Sequence, residues 1–323
     1  MALQIGFIGA GSVARRHSAI LRDMADVQIT AFCDANSAKA SALATRFGAR
    51  AFTSPERMFR SLKFDAIYIC VPATAHGVPE NLAVKNGCAL FIEPPIAAHI
   101  RTATAISNNI RKNGALVCVG SAWRYSDNID RAKKLLRPHR ALSFSLISGQ
   151  WSSEISTQEE NGSIWLEAWP LFDQLRFLTG ESKRLIGIEN SEKMAGSLLI
   201  ENKAGVSANI SALRKITGSQ KQDVEFSESS YLKIIRDDGE LNLNFSRCIH
   251  NLGSLILQWR SEEETLQFDS GQRLDYLQNL AFLRAVTQGK RTEIRSNYSE
   301  AIKTLKLALA AQRSMGSTKF LEI

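Results

Sequence analysis

The chain has 323 residues, 44% of them hydrophobic and 22% charged, which excludes an intrinsically disordered segment and is long enough for two domains. Forty basic against thirty-two acidic side chains leave a net charge of +8, with the basic residues scattered rather than gathered into an arm. That pattern excludes a dedicated nucleic-acid arm and fits an anionic small molecule.

In chain order, the opening stretch MALQIGFIGAGS lacks a basic leader and reads as a buried strand over 3–8. Further short apolar runs at 28–33, 66–71, 89–92 and 116–119 predict strands enclosed on both faces of a parallel sheet. Helical patterns at 13–24, 37–46, 78–86 and 102–113 alternate with them, two ending at Gly87 and Gly114. This alternation predicts a doubly wound α/β domain.

From about residue 141 strands follow one another instead, at 142–151, 198–201, 206–213, 231–236, 241–245 and 255–260. Turn signals such as Asp238-Gly239 and Lys203-Ala204-Gly205 separate them. Helices are predicted near 170–178, 274–287 and 299–313. The expected architecture is an N-terminal Rossmann domain, 1–122, and a C-terminal α+β domain, 123–323, with a large, open, mostly antiparallel sheet.

Cys33, Cys70, Cys88, Cys118 and Cys248 show no CxxC spacing, so neither a zinc site nor a disulfide framework is expected, and a reducing cytoplasm is. No run of about eighteen apolar residues predicts a membrane span.

The most informative motif is Gly9-Ala10-Gly11-Ser12-Val13-Ala14, a GxGxxA sequence between a predicted strand and helix. Gly9 permits the tight turn, Gly11 admits a pyrophosphate against the backbone, and Ala14 lets helix pack on strand. The helix N-terminus offers unpaired N–H groups to phosphate. Asp34 follows twenty residues after Ala14, at the end of the second strand, where an acid accepts hydrogen bonds from the adenosine ribose. A carboxylate there repels a 2′-phosphate and favours NAD; Arg15, Arg16 and Lys39 keep NADP open.

With those residues in view, the sequence resembles the Gfo/Idh/MocA oxidoreductases. The glycine turn runs on to His17, as in the family's GxGxxxxxH opening, and YICVPATAH (68–76) resembles its nicotinamide-lining stretch, giving Val71, Pro72 and His76. GCALFIEPP (87–95) resembles the family's GKHVLxEKP element, with Glu93 retained, and VGSAWR (119–124) its VGxxxR entry to the second domain. YLQNLAFLRAVTQG (276–289) and the 299–313 helix resemble its closing elements. The resemblance implies a small-molecule substrate held by the second domain, and a homodimer or homotetramer. By the same resemblance, His17 supports the glycine turn.

Two departures carry chemical weight. The EKP lysine is Pro94, and Leu166, Ala168 and Pro170 replace the Asp, Gly and His of the family's DxGxHxxD motif, leaving Asp173 as its last acid. Proline cannot transfer a proton, and oxidising an alcohol needs a base that the protein supplies. Pro170 predicts a helix start, with Glu167 and Trp169 in the preceding loop. Glu167 and Tyr125 are the candidate catalytic groups; Arg124, Trp169 and Asp173 are candidate substrate contacts. Trp165 and Trp169 read either as core or as pocket lining. His99, His139 and His250 have no partner pattern and read as surface or core residues. Two functions follow: an NAD(P)-dependent oxidoreductase of a sugar- or cyclitol-like or conjugated substrate, or a non-catalytic dinucleotide sensor.

Overall fold

The computed structural model describes residues 2–136, 144–155, 163–216, 227–236, 238–248, 254–269 and 273–323. Contacts divide the chain into two units, 1–120 with 275–302, and 121–274 with 303–323.

In the first unit, six parallel strands alternate with helices: β1 (Leu3–Ile8), α1 (Ser12–Arg22), β2 (Val27–Cys33), α2 (Ser37–Phe47), β3 (Arg50–Phe52), α3 (Pro55–Ser61), β4 (Ala66–Ile69), α4 (Val78–Lys85), β5 (Ala89–Ile92), α5 (Ile100–Asn113) and β6 (Val117–Val119). The sheet order is β3-β2-β1-β4-β5-β6, so the order reverses at β1/β4, the doubly wound arrangement that the sequence predicts. β4 and β5 are buried at every position, as their continuous apolar runs require.

Register explains one internal layer. Phe32, Phe7, Tyr68 and Phe91 occupy paired positions on β2, β1, β4 and β5. Their rings stack at 5.1, 4.9 and 4.7 Å between centroids, and Phe282 meets Phe91 edge-on. Each such buried ring contributes about 2 kcal/mol from area alone.

β3 and α3 are absent from the sequence reading. β3 is only three residues with exposed or half-exposed side chains, so it lacks the apolar run used to find strands. α3 is short, but its start was readable: Ser54 caps it, with its hydroxyl accepting from Arg57 N, and Pro55 opens it.

The second unit holds α6 (Asp127–Leu136), β7 (Phe144–Ile155), α7 (Ile164–Glu167), α8 (Trp169–Thr179), β8 (Ser182–Glu189), β9 (Ala195–Asn202), β10 (Ser207–Ile216), β11 (Ser227–Arg236), β12 (Gly239–Cys248), β13 (Ser254–Arg260) and β14 (Thr265–Asp269). After α9 (Leu274–Gln288) and α10 (Tyr298–Ser314), β15 (Leu321–Glu322) completes a nine-stranded sheet. Its order is β14-β13-β12-β11-β7-β10-β9-β8-β15, antiparallel except for the β7/β10 pair. Alternation is plain on β13, where Leu255, Leu257 and Trp259 are buried between partly exposed neighbours.

The stretch 275–302 counts with the first unit, which a single cut after 122 does not anticipate. The reason is polar as well as apolar: Gln278 Nε2 donates to Val119 O at 2.9 Å, and Ser296 O accepts from Val119 N at 2.9 Å. His139 and His250 lie outside the described residues.

Candidate functional site

The glycine turn follows β1 at the carboxyl edge of the first sheet. Gly9 has φ +92°, and a Cβ there would lie 2.0 Å from Cys70 O, so conformation and space both demand glycine. Gly11 differs: its φ is −79°, and a Cβ would meet no protein atom within 4 Å. The chain's own packing therefore does not require glycine at that position. A ligand lying against the backbone would.

Gly11 is also the N-cap of α1, with no side-chain cap and no acidic residue in the first turn. The N–H groups of Ser12, Val13 and Ala14 thus keep the anion-binding character of a helix start. Ala14 is fully buried, consistent with close packing of helix on strand. These residues fit the pyrophosphate of a dinucleotide.

Asp34 stands after β2 and is tied to the turn itself. One carboxylate oxygen accepts from Ala10 N at 2.7 Å, the other from Asn36 N at 2.8 Å. A carboxylate has about four acceptor positions, so two remain for ribose hydroxyls. The acid thus fixes the turn. His17 does not take the supporting role expected of it. Its ring is buried, with Nε2 2.7 Å from Glu93 Oε1 and Nδ1 beside Asn279.

Around His17 lies a buried polar cluster that sequence spacing did not show. Arg16 Nη2 is 3.6 Å from Glu93 Oε2, and its Nε is 3.3 Å from Asp275 Oδ2. Asn279 accepts from Tyr68 Oη at 2.8 Å and donates to Asp275 O at 2.6 Å. Partners more than two hundred residues apart carry no sequence signature. Burial pushes the Tyr68 hydroxyl well up, with Cys118, Cys70 and Glu93 adding to it, so Tyr68 remains a donor. Burial, then the Glu93 charge, likewise pushes the Cys70 thiol well up.

Val71 and Pro72 follow β4 and lead into a turn over Ala73–Ala75, with Val71 half-buried and Pro72 exposed. His76 is turned inward, its Nδ1 2.5 Å from Glu80 Oε1, while Glu80 Oε2 accepts from Gly77 N at 2.6 Å. The i, i+4 spacing of that pair was legible and was missed. His99 stands exposed at the start of α5.

In the second unit the candidate groups are largely committed to one another. Asp173 on α8 is buried and accepts from Ser121 Oγ, from Arg124 Nε at 2.9 Å and Nη2 at 2.5 Å, and from Thr304 Oγ1 at 3.1 Å. Arg124 is buried too, with Phe177 4.4 Å from its guanidinium carbon. Arg124 and Asp173, the expected substrate contacts, thus form a buried ion pair with each other. Arg176 extends the cluster, donating to Thr304 at 2.8 Å and to Glu181 at 2.7 Å.

Glu167 is not in a loop: it ends α7, and Arg214 of β10 grips both of its oxygens. α8 begins at Trp169, with Pro170 in its first turn, where the missing N–H costs nothing. Trp165 and Trp169 are buried, which favours core over pocket lining, and Tyr125 is buried in the turn Ala122–Tyr125. A Cβ on Gly196 would lie 2.4 Å from the Trp165 ring, so β9 is notched to seat that indole.

Comparison with known proteins follows this division. Residues 3–121 match the family model GFO_IDH_MocA, described as an oxidoreductase family with an NAD-binding Rossmann fold. That stretch of the chain is thus a Gfo/Idh/MocA nucleotide-binding domain. Among characterised relatives, D-glucoside 3-dehydrogenase of Escherichia coli (strain K12) is 29% identical over 126 residues, 38% of this chain and only 36% of that protein. Inositol 2-dehydrogenase of Rhizobium meliloti (strain 1021) is 24% identical over 241 residues, 70% of this chain and 73% of the relative. A crystal structure of an oxidoreductase from Agrobacterium radiobacter, in complex with NAD+, L-tartaric acid and magnesium, superposes with a TM-score of 0.76. It is 15% identical and covers 100% of this chain and 98% of that one, so both units share its fold. No helix among the described residues is long and apolar enough to cross a membrane.

Proposed function

We propose that the protein binds NAD and transfers hydride to or from a small polar, sugar- or cyclitol-like, or conjugated substrate, with an acid/base other than the family's lysine and histidine. The observation that carries the dinucleotide half is Gly11, a glycine that the surrounding protein does not require. Asp34 beside the turn supports NAD over NADP, because a 2′-phosphate next to its carboxylate is repelled. The dehydrogenase relatives support the substrate class.

Saturable binding of NADH, with NADPH about tenfold weaker, tests the cofactor reading. Turnover with a panel of cyclitols, sugars and conjugated carbonyls tests the catalytic one. A second reading, a non-catalytic dinucleotide sensor, is favoured by Pro94, Pro170 and the commitment of Glu167 to Arg214. It predicts NADH binding without hydride transfer to any member of that panel.

Self-association through the second unit belongs to the same proposal. Ile188, Leu199 and Leu213 stand exposed on one face of neighbouring strands β8, β9 and β10. Light scattering of the purified chain gives the expected dimer or tetramer mass, or a monomer if this part fails.

A further inference from the structure

Proline stands at positions 94 and 170 and Arg214 grips Glu167, so the proton of a carbinol calls for a candidate acceptor besides Glu167 and Tyr125. The sheet order says where to look. Asp34 follows β2, the glycine turn follows β1, and β4 and β5 lie on the other side of β1. A dinucleotide with its pyrophosphate on the turn and its first ribose at Asp34 would lay its second nucleoside over β4 and β5. Strands are about 4.8 Å apart, so the end of β5 lies roughly 10 Å from the turn.

The titratable side chains in the turns between β4 and α4 and between β5 and α5 are Cys70, His76, Glu93 and His99, and Glu80 in α4 is enclosed against His76. Burial keeps Cys70 a thiol. The His76 side chain is wholly enclosed, at 0% exposure, and His99 stands at the surface six residues past Glu93. Glu93 directly follows β5 and keeps 8% side-chain exposure. The fold also makes room for it: a Cβ on Gly120 would lie 2.6 Å from Glu93 Oε1 and 2.9 Å from Pro94 Cδ.

We propose that Glu93 is the proton acceptor of this chain and that His17 is its positioning residue, an inference that rests on the dinucleotide reading above. In the oxidation direction the carbinol C–H leaves as hydride to the nicotinamide of the bound dinucleotide. The O–H proton passes to a Glu93 oxygen, and the carbinol becomes a carbonyl; reduction runs the same steps backwards. With its proton on Nε2, His17 donates to Oε1, while Asn279 stands at Nδ1 and itself accepts from Tyr68 Oη. The groups facing the pair are Arg16 from α1, Tyr68 and Cys70 from β4 and its following turn, and Asp275 from α9. α1 therefore joins the two tasks, offering its N-terminus to phosphate and its second turn to Glu93.

The test needs no known substrate. A carboxylate beside the nicotinamide favours the cationic ring of NAD+ over the uncharged ring of NADH, so E93Q lowers the affinity for NAD+ relative to NADH by roughly 3–10-fold. H17N shifts the ratio in the same direction by about twofold or more. Fluorescence titration with NADH and competition by NAD+ read both variants. An unchanged ratio in folded E93Q overturns the proposal; if E93Q does not fold, an unchanged ratio in H17N overturns it. Oxidation of any panel carbinol is expected to fall about 10²–10⁴-fold in E93Q, and retention within about threefold overturns the assignment. A wild-type chain that binds NADH with an unshifted variant ratio sinks this inference alone. One that binds no NADH sinks the cofactor reading as well.

Discussion

At the scale of single residues, two glycines two positions apart do different jobs, and substitution separates them. Gly9 answers to the protein, with φ +92° and Cys70 O 2.0 Å from the point where a Cβ would stand. G9A is expected to lose roughly 3 kcal/mol of unfolding free energy by urea denaturation. In the proposed reading Gly11 answers to a ligand, so G11A should unfold within about 0.5 kcal/mol of wild type while its NADH affinity falls at least tenfold. Equal damage to stability from both would contradict that division. The residue types of this turn were legible because each is dictated by backbone geometry next to a strand. His17 was not: its role is set by Glu93 and Asn279, which only the fold brings together.

At the scale of elements, apolar runs in the first unit located five of six strands, because strands enclosed on both faces admit almost nothing else. The second sheet was harder to read. β14 went unseen because its outward positions Thr265, Gln267 and Asp269 are polar, and β8 because Lys183, Arg184 and Glu189 leave only a short apolar run between them. α8 shows how local chemistry and packing agree: Pro170 opens the helix, and Asp173 one turn later anchors it to Arg124, Ser121 and Thr304. R124M leaves the Asp173 carboxylate buried without its guanidinium. A loss of about 3–5 kcal/mol is expected in denaturant unfolding, and R124M/D173N should recover part of it. A substrate-contacting role for Arg124 instead predicts near-wild-type stability.

At the scale of the whole molecule, the first unit holds both the glycine turn and the polar cluster around His17 and Glu93. The nucleotide half is specified by motifs that sequence alone exposes, and its fold is that of an NAD-binding oxidoreductase family. The candidate catalytic group Glu167 and the candidate substrate contact Asp173 each pair with an arginine that no spacing rule announces. The return of 275–302 to the first unit supplies Asp275 and Asn279 to the cluster around His17 and Glu93. The most direct test of the account is titration of the wild-type chain with NADH and NADPH, read by nicotinamide fluorescence and repeated with G11A. The account predicts saturable NADH binding, NADPH weaker by about tenfold, and binding by G11A lost or at least tenfold weaker. Absence of NADH binding to a folded wild-type chain, or undiminished binding by G11A, would contradict it.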